Sequence, residues 1–598
     1  MTQKPSYHQE YIAPANLEWI NDQPFSKQYE DIYYTADGTD EVHRIYLKPS
    51  DLLERNDLGA CINVGELGFG SGLNFAITAT EVLQKTDKHL HFISFEAHPL
   101  DYDAWQKIAL TRTSLPIYKT LADTPPPLLT GWHRRSFANG RVQLSVYHGN
   151  ALEGLEDLTR RQRQPVDAWF LDGFSPPKNP DMWDLDILSA LANNSTQGTT
   201  VCSFTSAGAV RRGLEGFGFA MRKVDQQPIK RSSLAGTLVG KGAKPRTSTP
   251  QQVNVFGAGI AGCTVARHLA DQGVQVRIFD PNGVASGGSK MDVSALHCRL
   301  LGDSSAGAEF RARAFHYARS YHPNFPGFSA TGAVQLAMND GELSKIRRIA
   351  KVYAPDPRST QNWLSYLDEQ TLSEDFQLAG LGALIFPSAA IIDLPQLCHG
   401  LIDHPKIEFV KQPGVECDQQ PFIIACAGAS KSFANTQSLE IGEMYGQLDW
   451  IEPIPQAKIP MPIVGNGYVI PGDKEWTVGS SYEYEPWTAA EASTSNINKN
   501  RRFIGDGKMA SLRHKRAPRC VSSDREPVVG KLSPMGWIST AHGSMGTSSA
   551  PMAAAMISSQ LLGWIAPVSE RVETSLSPQR FIARQARRGV KHVGPKPD

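Results

Sequence analysis

Twice along this chain a short apolar strand runs into a glycine-rich loop that opens a helix. The first is Glu66-Leu-Gly-Phe-Gly-Ser-Gly72; the second, about 190 residues later, is Gly257-Ala-Gly-Ile-Ala-Gly262. Glycine reaches left-handed backbone conformations and lets a ligand approach the main chain where a Cβ would stand in the way. Strand–loop–helix units of this kind build open parallel sheets, which bind ligands beyond the carboxyl ends of their strands. Two units need two sheets, and 598 residues are enough for several domains.

The first unit sits in an alternation of apolar runs and helical stretches. A strand at 60–64 precedes the loop and a helix runs from 73 to about 84. Further strands follow at 89–96, 142–147, 168–171 and 200–204. This alternation implies a parallel sheet with helices on both faces. Gly68, Gly70 and Gly72 would cradle a ligand, and Glu96, 24 residues beyond Gly72, would accept the hydroxyls of a ribose. The pattern is G-x-G-x-G rather than G-x-G-x-x-G, and Glu66 precedes it. An acid there repels a pyrophosphate but can hold a cationic amino-acid end, which favours S-adenosylmethionine. Asn150, after the strand at 142–147, is placed against an adenine edge. The segment 167–183 (DAWFLDGFSPPKNPDMW) delivers Asp172 to the same sheet edge, followed by stiffening prolines and the aromatics Phe174 and Trp183. Asp172 is the candidate catalytic residue, an acceptor that aligns an attacking amine for methyl transfer.

The second unit has the full G-x-G-x-x-G spacing. A strand at 253–256 precedes it, a helix continues to about 272, and a strand at 274–280 ends in Asp280, 23 residues after Gly257. Gly257, Gly259 and Gly262 with Asp280 form a dinucleotide fingerprint: pyrophosphate on the helix N-terminus, acid on the ribose. Two later segments select FAD over NAD. The apolar run 422–428 (FIIACAG) ends in Gly428, and the loop 540–551, with Gly543 and Gly546, leads into a helix expected from about 552 to 562. A helix N-terminus facing a flavin would stabilise its reduced anion.

Between the halves, 241–252 (KGAKPRTSTPQQ) is polar, contains proline and lacks apolar periodicity. The boundary is placed near residue 248. The expected architecture is α/β: a Rossmann-like domain over 1–245, a linker over 246–252 and a two-part FAD-binding domain over 253–598. Its FAD-binding parts are expected at about 253–330 and 520–598, with a substrate part at about 330–520. Lys and Arg number 60, as do Asp and Glu. The zero balance excludes a uniformly basic nucleic-acid coat and an acidic disordered chain. The eight cysteines include no C-x-x-C pair, so neither a zinc site nor a disulfide framework is expected. No run of 18 apolar residues and no secretory start are present, which predicts a cytoplasmic protein without a membrane span.

Together the two halves resemble the family of bifunctional enzymes of 5-methylaminomethyl-2-thiouridine biosynthesis on the tRNA wobble base. In the first half the resemblance rests on Gln23-Pro-Phe-Ser26, Asp31-Ile-Tyr-Tyr34, GELGFGSGLNF (65–75), FEAHPL (95–100) and the 167–183 segment. In the second it rests on VFGAGIAGCTVARHLADQG (255–273), Arg519 with Asp524 and Pro527, HGSMGTSSAPMAA (542–554) and PQRFIARQARR (578–588). It covers nearly the whole chain. It implies a glycine-oxidase-like FAD domain that oxidises the carboxymethylamino group, with release of glyoxylate. The N-terminal domain would then methylate the primary amine with S-adenosylmethionine. The segments 284–294 and 387–393 depart from the family's pattern, the first lacking its Asn and Pro, the second its glycines. tRNA is the implied partner and a monomer is expected. Three basic stretches could form its phosphate-binding surface: 207–246, with nine Lys/Arg, 501–519, with seven, and 580–598, with six. Competing readings are a free-amino-acid oxidase fused to a small-molecule N-methyltransferase, and an RNA-binding protein with degenerate cofactor folds. The basic stretches speak against the first and the intact glycine loops against the second.

Overall fold

The structure is a computed structural model that describes residues 11–34, 38–229, 231–240, 242–354, 363–416, 419–454, 459–465, 467–505 and 509–589. The N-terminal half is built on one eight-stranded sheet. Its order is Phe219–Asp225, Ser232–Leu238, Ser195–Ser203, Val166–Leu171, Cys61–Leu67, His89–Glu96, Val142–His148, Gly131–Phe137. The five strands from Ser195–Ser203 to Val142–His148 run parallel, and the flanking strands are antiparallel. Helices cover both faces, so the inner strands read as continuous apolar runs; Val166–Leu171 is buried throughout. From Cys61–Leu67 the chain adds strands outward on one side, then returns to add Val166–Leu171 on the other. That reversal opens a crevice at the carboxyl end of Cys61–Leu67. Gly68, Glu96 and Asp172 follow or end the three strands that meet there.

In the C-terminal half a six-stranded sheet has the order Ile407–Val410, Gln275–Phe279, Gln252–Phe256, Phe422–Ile424, Gly536–Thr540, Val528–Lys531. All but the last are parallel. Two of these strands, at 407–410 and 422–424, lie within the stretch expected at about 330–520 as the substrate part, and the second is the apolar run expected at the flavin. The chain therefore leaves the cofactor sheet, returns for two strands and leaves again. A second eight-stranded sheet takes strands from 333 to 522, and the helix Ala489–Ile504 packs on it.

The last long helix, Gly546–Leu562, starts six residues earlier than the expected 552 and contains Pro551. Proline supplies no N–H to the carbonyl four residues before it. Here that carbonyl, of Thr547, accepts instead from His322 Nε2 at 2.7 Å. His322 is fully buried, and burial pushes its pKa down to about 4.

The segment between the halves does not behave as a free linker. Lys244 is buried and its Nζ donates to Leu158 O (2.9 Å), Gln162 O (2.7 Å) and Asn194 Oδ1 (2.7 Å). Arg246 pairs with buried Asp167. Polar composition here reflects satisfied contacts with the N-terminal half. The halves also pack directly on each other. Ile565 lies in one apolar cluster with Trp132, Leu155 and Leu158, and Gly563 O accepts from Arg163 N and Gln164 N, both at 2.9 Å. No helix among the described residues is long and apolar enough to cross a membrane.

Candidate active sites

At the first crevice Gly68, Gly70 and Gly72 have φ of 83°, 50° and 69°. A Cβ on Gly68 would stand 3.0 Å from Gly173 Cα, so the loop and the Asp172 turn approach closely because both are glycine. Glu96 accepts from Gly70 N and His98 N, each at 2.7 Å. Burial raises its pKa to about 7, against these backbone donors. Asp172 accepts from Gly173 N at 2.8 Å through Oδ1 and from Asn74 Nδ2 at 2.7 Å through Oδ2. Burial pushes it up to about 6.

Asn74, on the first turn of the helix Leu73–Lys85, was not singled out from sequence. Its Nδ2 also donates to Glu66 Oε1 at 2.9 Å, while Ser94 Oγ donates to Glu66 Oε2 at 2.6 Å. Glu66 is 1% exposed, and burial holds its carboxyl well above the usual range. The expected contact of Glu66 with a ligand's ammonium is therefore corrected: it lies under the loop with both oxygens engaged.

Asn150 Oδ1 caps the helix Ala151–Arg161 by accepting from Leu152 N (2.8 Å) and Glu153 N (3.4 Å). Asn150 is exposed, with its amide nitrogen not used by the cap. Trp183 is 8% exposed and braces the Phe174 carbonyl through Nε1 at 3.1 Å, so it presents no free face. Phe174 instead stacks on Tyr29 (centroids 4.4 Å apart) and meets Tyr33 edge-on at 5.6 Å. These tyrosines follow an N-terminal hairpin, Leu17–Ile20 with Gln23–Ser26, whose Asn21-Asp22 turn takes φ of 51° and 60°. Asn-Asp between short strands was the available sequence signal. A Cβ on Gly70 would stand 3.1 Å from the Tyr33 ring, which places the tyrosine over the loop.

The second site is a cavity of about 940 Å³ lined by Gly257, Gly259, Asp280, Gly428, Gly543 and Gly546. Four separate stretches of chain thus meet at one cavity. Gly262 does not line it; a Cβ there would fall 1.8 Å from Gly257 O, so this glycine serves close helix–strand packing. Gly257, at φ 110°, passes so close to the chain below that a Cβ would lie 2.7 Å from Cys426 N. Asp280 accepts from Ala258 N and Asn282 N, both at 2.9 Å, and so holds the loop as well as facing the cavity. The helix Gly546–Leu562 points its N-terminus in. His542 is fixed between Ser539 Oγ (3.1 Å) and Ser549 Oγ (2.8 Å), and burial lowers its pKa to about 4. His297 lines the cavity with both ring nitrogens buried and unpartnered. Glycines where side chains would intrude, a helix N-terminus and unpartnered ring nitrogens fit a bound FAD.

Sequence reasoning named Arg519 but missed the cationic end it forms in this cavity. Arg299, Lys499 and Arg519 line it together with Tyr482. None of the three cations has a carboxylate partner among the described residues, in contrast to most other arginines. The Arg519 guanidinium lies 5.0 Å from the Tyr482 ring, and a Cβ on Gly446 would fall 2.3 Å from its Cζ. Tyr482 donates to Ser544 Oγ at 2.7 Å. Burial pushes the phenol up, but Arg299, Arg519, Ser544 and Lys499 outweigh it and hold the phenol below its ordinary value. These residues come from two loops (Arg299 and Tyr482), the helix Ala489–Ile504 (Lys499) and the strand Arg513–Ser522 (Arg519), so no local motif announced them together.

Much of the three expected basic stretches is already spent. Arg502 pairs with Glu342, Arg513 with Glu475, Lys515 with Asp292 and Arg516 with Glu483. Arg580 and Arg584 pair with Asp524, and Lys244 is buried. Residues 590–598 of the last stretch, like Asp506 and Lys508, lie outside the described residues.

Two family descriptions match the chain: S-adenosyl-L-methionine-dependent methyltransferase over residues 115–239 and FAD dependent oxidoreductase over 252–560. The tRNA 5-methylaminomethyl-2-thiouridine biosynthesis bifunctional protein MnmC of Ectopseudomonas mendocina (strain ymp) is 30% identical across 96% of this chain and 98% of its own length. The chain belongs to the MnmC family. The MnmC of Stutzerimonas stutzeri (strain A1501) is 28% identical over 97% of this chain and 99% of that protein. Among solved structures, glycine oxidase from Geobacillus kaustophilus covers 58% of the chain and 100% of its own, at 13% identity and a TM-score of 0.46. As an MnmC-family protein the chain joins a methyltransferase that uses S-adenosylmethionine to an oxidoreductase that uses FAD.

Proposed function

We propose that this chain carries out two consecutive steps on the wobble uridine of tRNA in the cytoplasm, acting as a monomer. The carboxymethyl group of 5-carboxymethylaminomethyl-(2-thio)uridine is removed first; the resulting aminomethyl group is then methylated to 5-methylaminomethyl-(2-thio)uridine. In the first step the C–N bond between nitrogen and the carboxymethyl carbon is oxidised to an imine, with loss of two electrons and two protons. Water adds to that carbon, and its C–N bond breaks to give glyoxylate and the primary amine. Bound FAD supplies the two-electron acceptor, and S-adenosylmethionine the methyl group. The flavin contacts are assigned to Gly257, Gly259, Asp280, Gly428, Gly543 and Gly546, and the S-adenosylmethionine contacts to Gly68, Gly70, Gly72 and Glu96.

The observation that carries the first step is the set of unpaired cations in the flavin cavity. Each of these cations reaches a main-chain carbonyl (Gly465 O, Ser480 O and Ser481 O) but no carboxylate among the described residues, which leaves its charge to pair with a ligand's anion. Arg299, Lys499 and Arg519 select a substrate that brings a carboxylate, and the carboxymethylamino group is such a substrate. Its carboxylate held at that end would fix the adjacent carbon and nitrogen for oxidation. For the second step, Asp172 accepts a hydrogen bond from the product amine, and Phe174 on the following turn offers a face for the base.

The test is nucleoside analysis of tRNA from cells lacking the gene. 5-Carboxymethylaminomethyl-2-thiouridine is expected to accumulate at the expense of the methylaminomethyl form. An unchanged nucleoside profile, with oxidation of free glycine or sarcosine by the purified protein, would favour the small-molecule reading.

A further inference from the structure

Two aromatic side chains are exposed among the described residues: Tyr484 at 75% and Trp487 at 38%. They sit three residues apart on one loop, the loop that carries Tyr482 into the flavin cavity. Tyr484 and Trp487 follow the cavity-lining Tyr482 by two and five residues, so both exposed rings share its loop.

The loop is held rigid from below. Glu483 is fully buried, accepts from Ser481 Oγ (2.5 Å) and Trp487 N (3.0 Å), and pairs with Arg516. Arg516 also donates to Trp487 O. The Glu483 backbone bridges to Tyr445 with two hydrogen bonds of 3.0 and 3.1 Å. Above, Arg525 donates to the Tyr484 hydroxyl and lies 5.4 Å from its ring. Tyr484 is therefore exposed yet fixed in orientation, which removes most of the entropy cost of using it in a contact.

We infer that Tyr484 and Trp487 are a stacking platform for unpaired bases of an RNA loop beside the nucleotide whose side chain enters the flavin cavity. The inference rests on the reading that this cavity acts on a nucleotide within RNA. Such a substrate can insert only its modified group, so its neighbours must lie on the rim where Tyr484 follows Tyr482. Flat faces suit bases of any identity. Glu485, exposed and between the two aromatics in sequence, adds a negative charge to the loop, and the contact proposed is with base faces rather than backbone.

The experiment uses the full, FAD-loaded chain and a fluorescein-labelled RNA hairpin with an unmodified single-stranded loop, read by anisotropy. The Tyr484→Ala/Trp487→Ala double variant, which loses two stacking faces, is expected to bind at least about 30-fold more weakly. Tyr484→Phe and Trp487→Phe, which keep the faces, should stay within about threefold. The slope of affinity against salt should not change, since no phosphate contact is removed. Flavin content and oxidation of the free modified nucleoside should match wild type. Wild-type hairpin affinity in the double variant overturns the platform. So does equal loss of oxidation of the free nucleoside, which would place the rings in the cavity's own chemistry. Conversion of a wild-type dimer to a monomer with RNA binding unchanged overturns it in favour of contact between copies. Binding that depends on both rings, without oxidation of the modified RNA, would support the platform while sinking the reaction proposed for the cavity.

Discussion

Asn74 donates from one amide nitrogen to two buried carboxylates, Glu66 and Asp172. Its hydrogens favour the charged form of each, and burial disfavours it. Asp172, with its pKa raised to about 6, is a carboxylate at neutral pH and an acid below that. Methylation is therefore expected to fall as pH drops through about 6. Asn74→Leu removes the donor and should move that acid limb to higher pH, seen as a shift in single-turnover rate profiles. Asp172→Asn should slow methylation about 10²- to 10³-fold, comparable to losing one preorganised electrostatic contact. It should leave flavin-dependent decarboxymethylation unchanged.

The same substitution has a stability consequence of opposite sign. A carboxyl whose folded pKa is raised binds its proton more tightly when folded, so stability declines as pH rises from about 4 to 6. Asp172→Asn removes a penalty of about 3 kcal/mol for a shift from 3.8 to about 6 but leaves Gly173 N or Asn74 Nδ2 facing an amide NH₂, so a net gain of up to about 2 kcal/mol is expected at pH 7. Urea midpoints should show that gain shrinking toward pH 4. At this scale the sequence placed Glu96, Asp172 and the glycines at the sheet edges where they lie, because each sits within or directly after a local motif. It could not reveal that Glu66 and Trp183 are turned away from solvent, since an acid or an indole reads the same on either side of a strand.

Among elements, the β-α-β unit from 252 to 279 was legible almost to its ends, because glycine spacing and apolar runs are set within a few residues. Gly262→Ala tests it. The added Cβ meets Gly257 O at 1.8 Å, and the helix cannot shift without opening the sheet. The variant is expected to be colourless or to bind FAD at least about 100-fold more weakly, read by flavin absorbance after reconstitution; a yellow, wild-type-like protein would contradict this. The last long helix was misread because Pro551 signals a start, whereas His322, more than two hundred residues away, supplies the donor that proline lacks. The cationic end of the cavity was hidden for the same reason: Arg299, Lys499 and Arg519 meet only once the second sheet has formed.

Across the whole molecule, the polar segment at 241–252 reads as a linker, but the packing joins the halves on either side of it. Arg134 is 3% exposed and spans both halves, donating to Ser145 Oγ (3.0 Å), Ser559 Oγ (3.2 Å) and Ile565 O (2.6 Å). Arg134→Met leaves a buried carbonyl unpaired and should lower stability by about 1–3 kcal/mol, measured as a denaturant midpoint. A fragment ending at residue 245 loses Ile565 from its apolar cluster and the Gly563 carbonyl from Arg163 and Gln164. It is expected to melt below the same half in the full chain; an equal melting temperature would show the interface to be inert.

The central claim is that two sites on one chain act in sequence on one nucleoside. The direct measurement is single turnover of the full, FAD-loaded chain on tRNA bearing 5-carboxymethylaminomethyl-2-thiouridine, with and without S-adenosylmethionine. Without it, the aminomethyl nucleoside should accumulate with an equal amount of glyoxylate; with it, that nucleoside should pass on to the methylaminomethyl form. Methylation of the intact carboxymethylamino group, or no loss of the carboxymethyl group while the flavin is bound, would contradict the account.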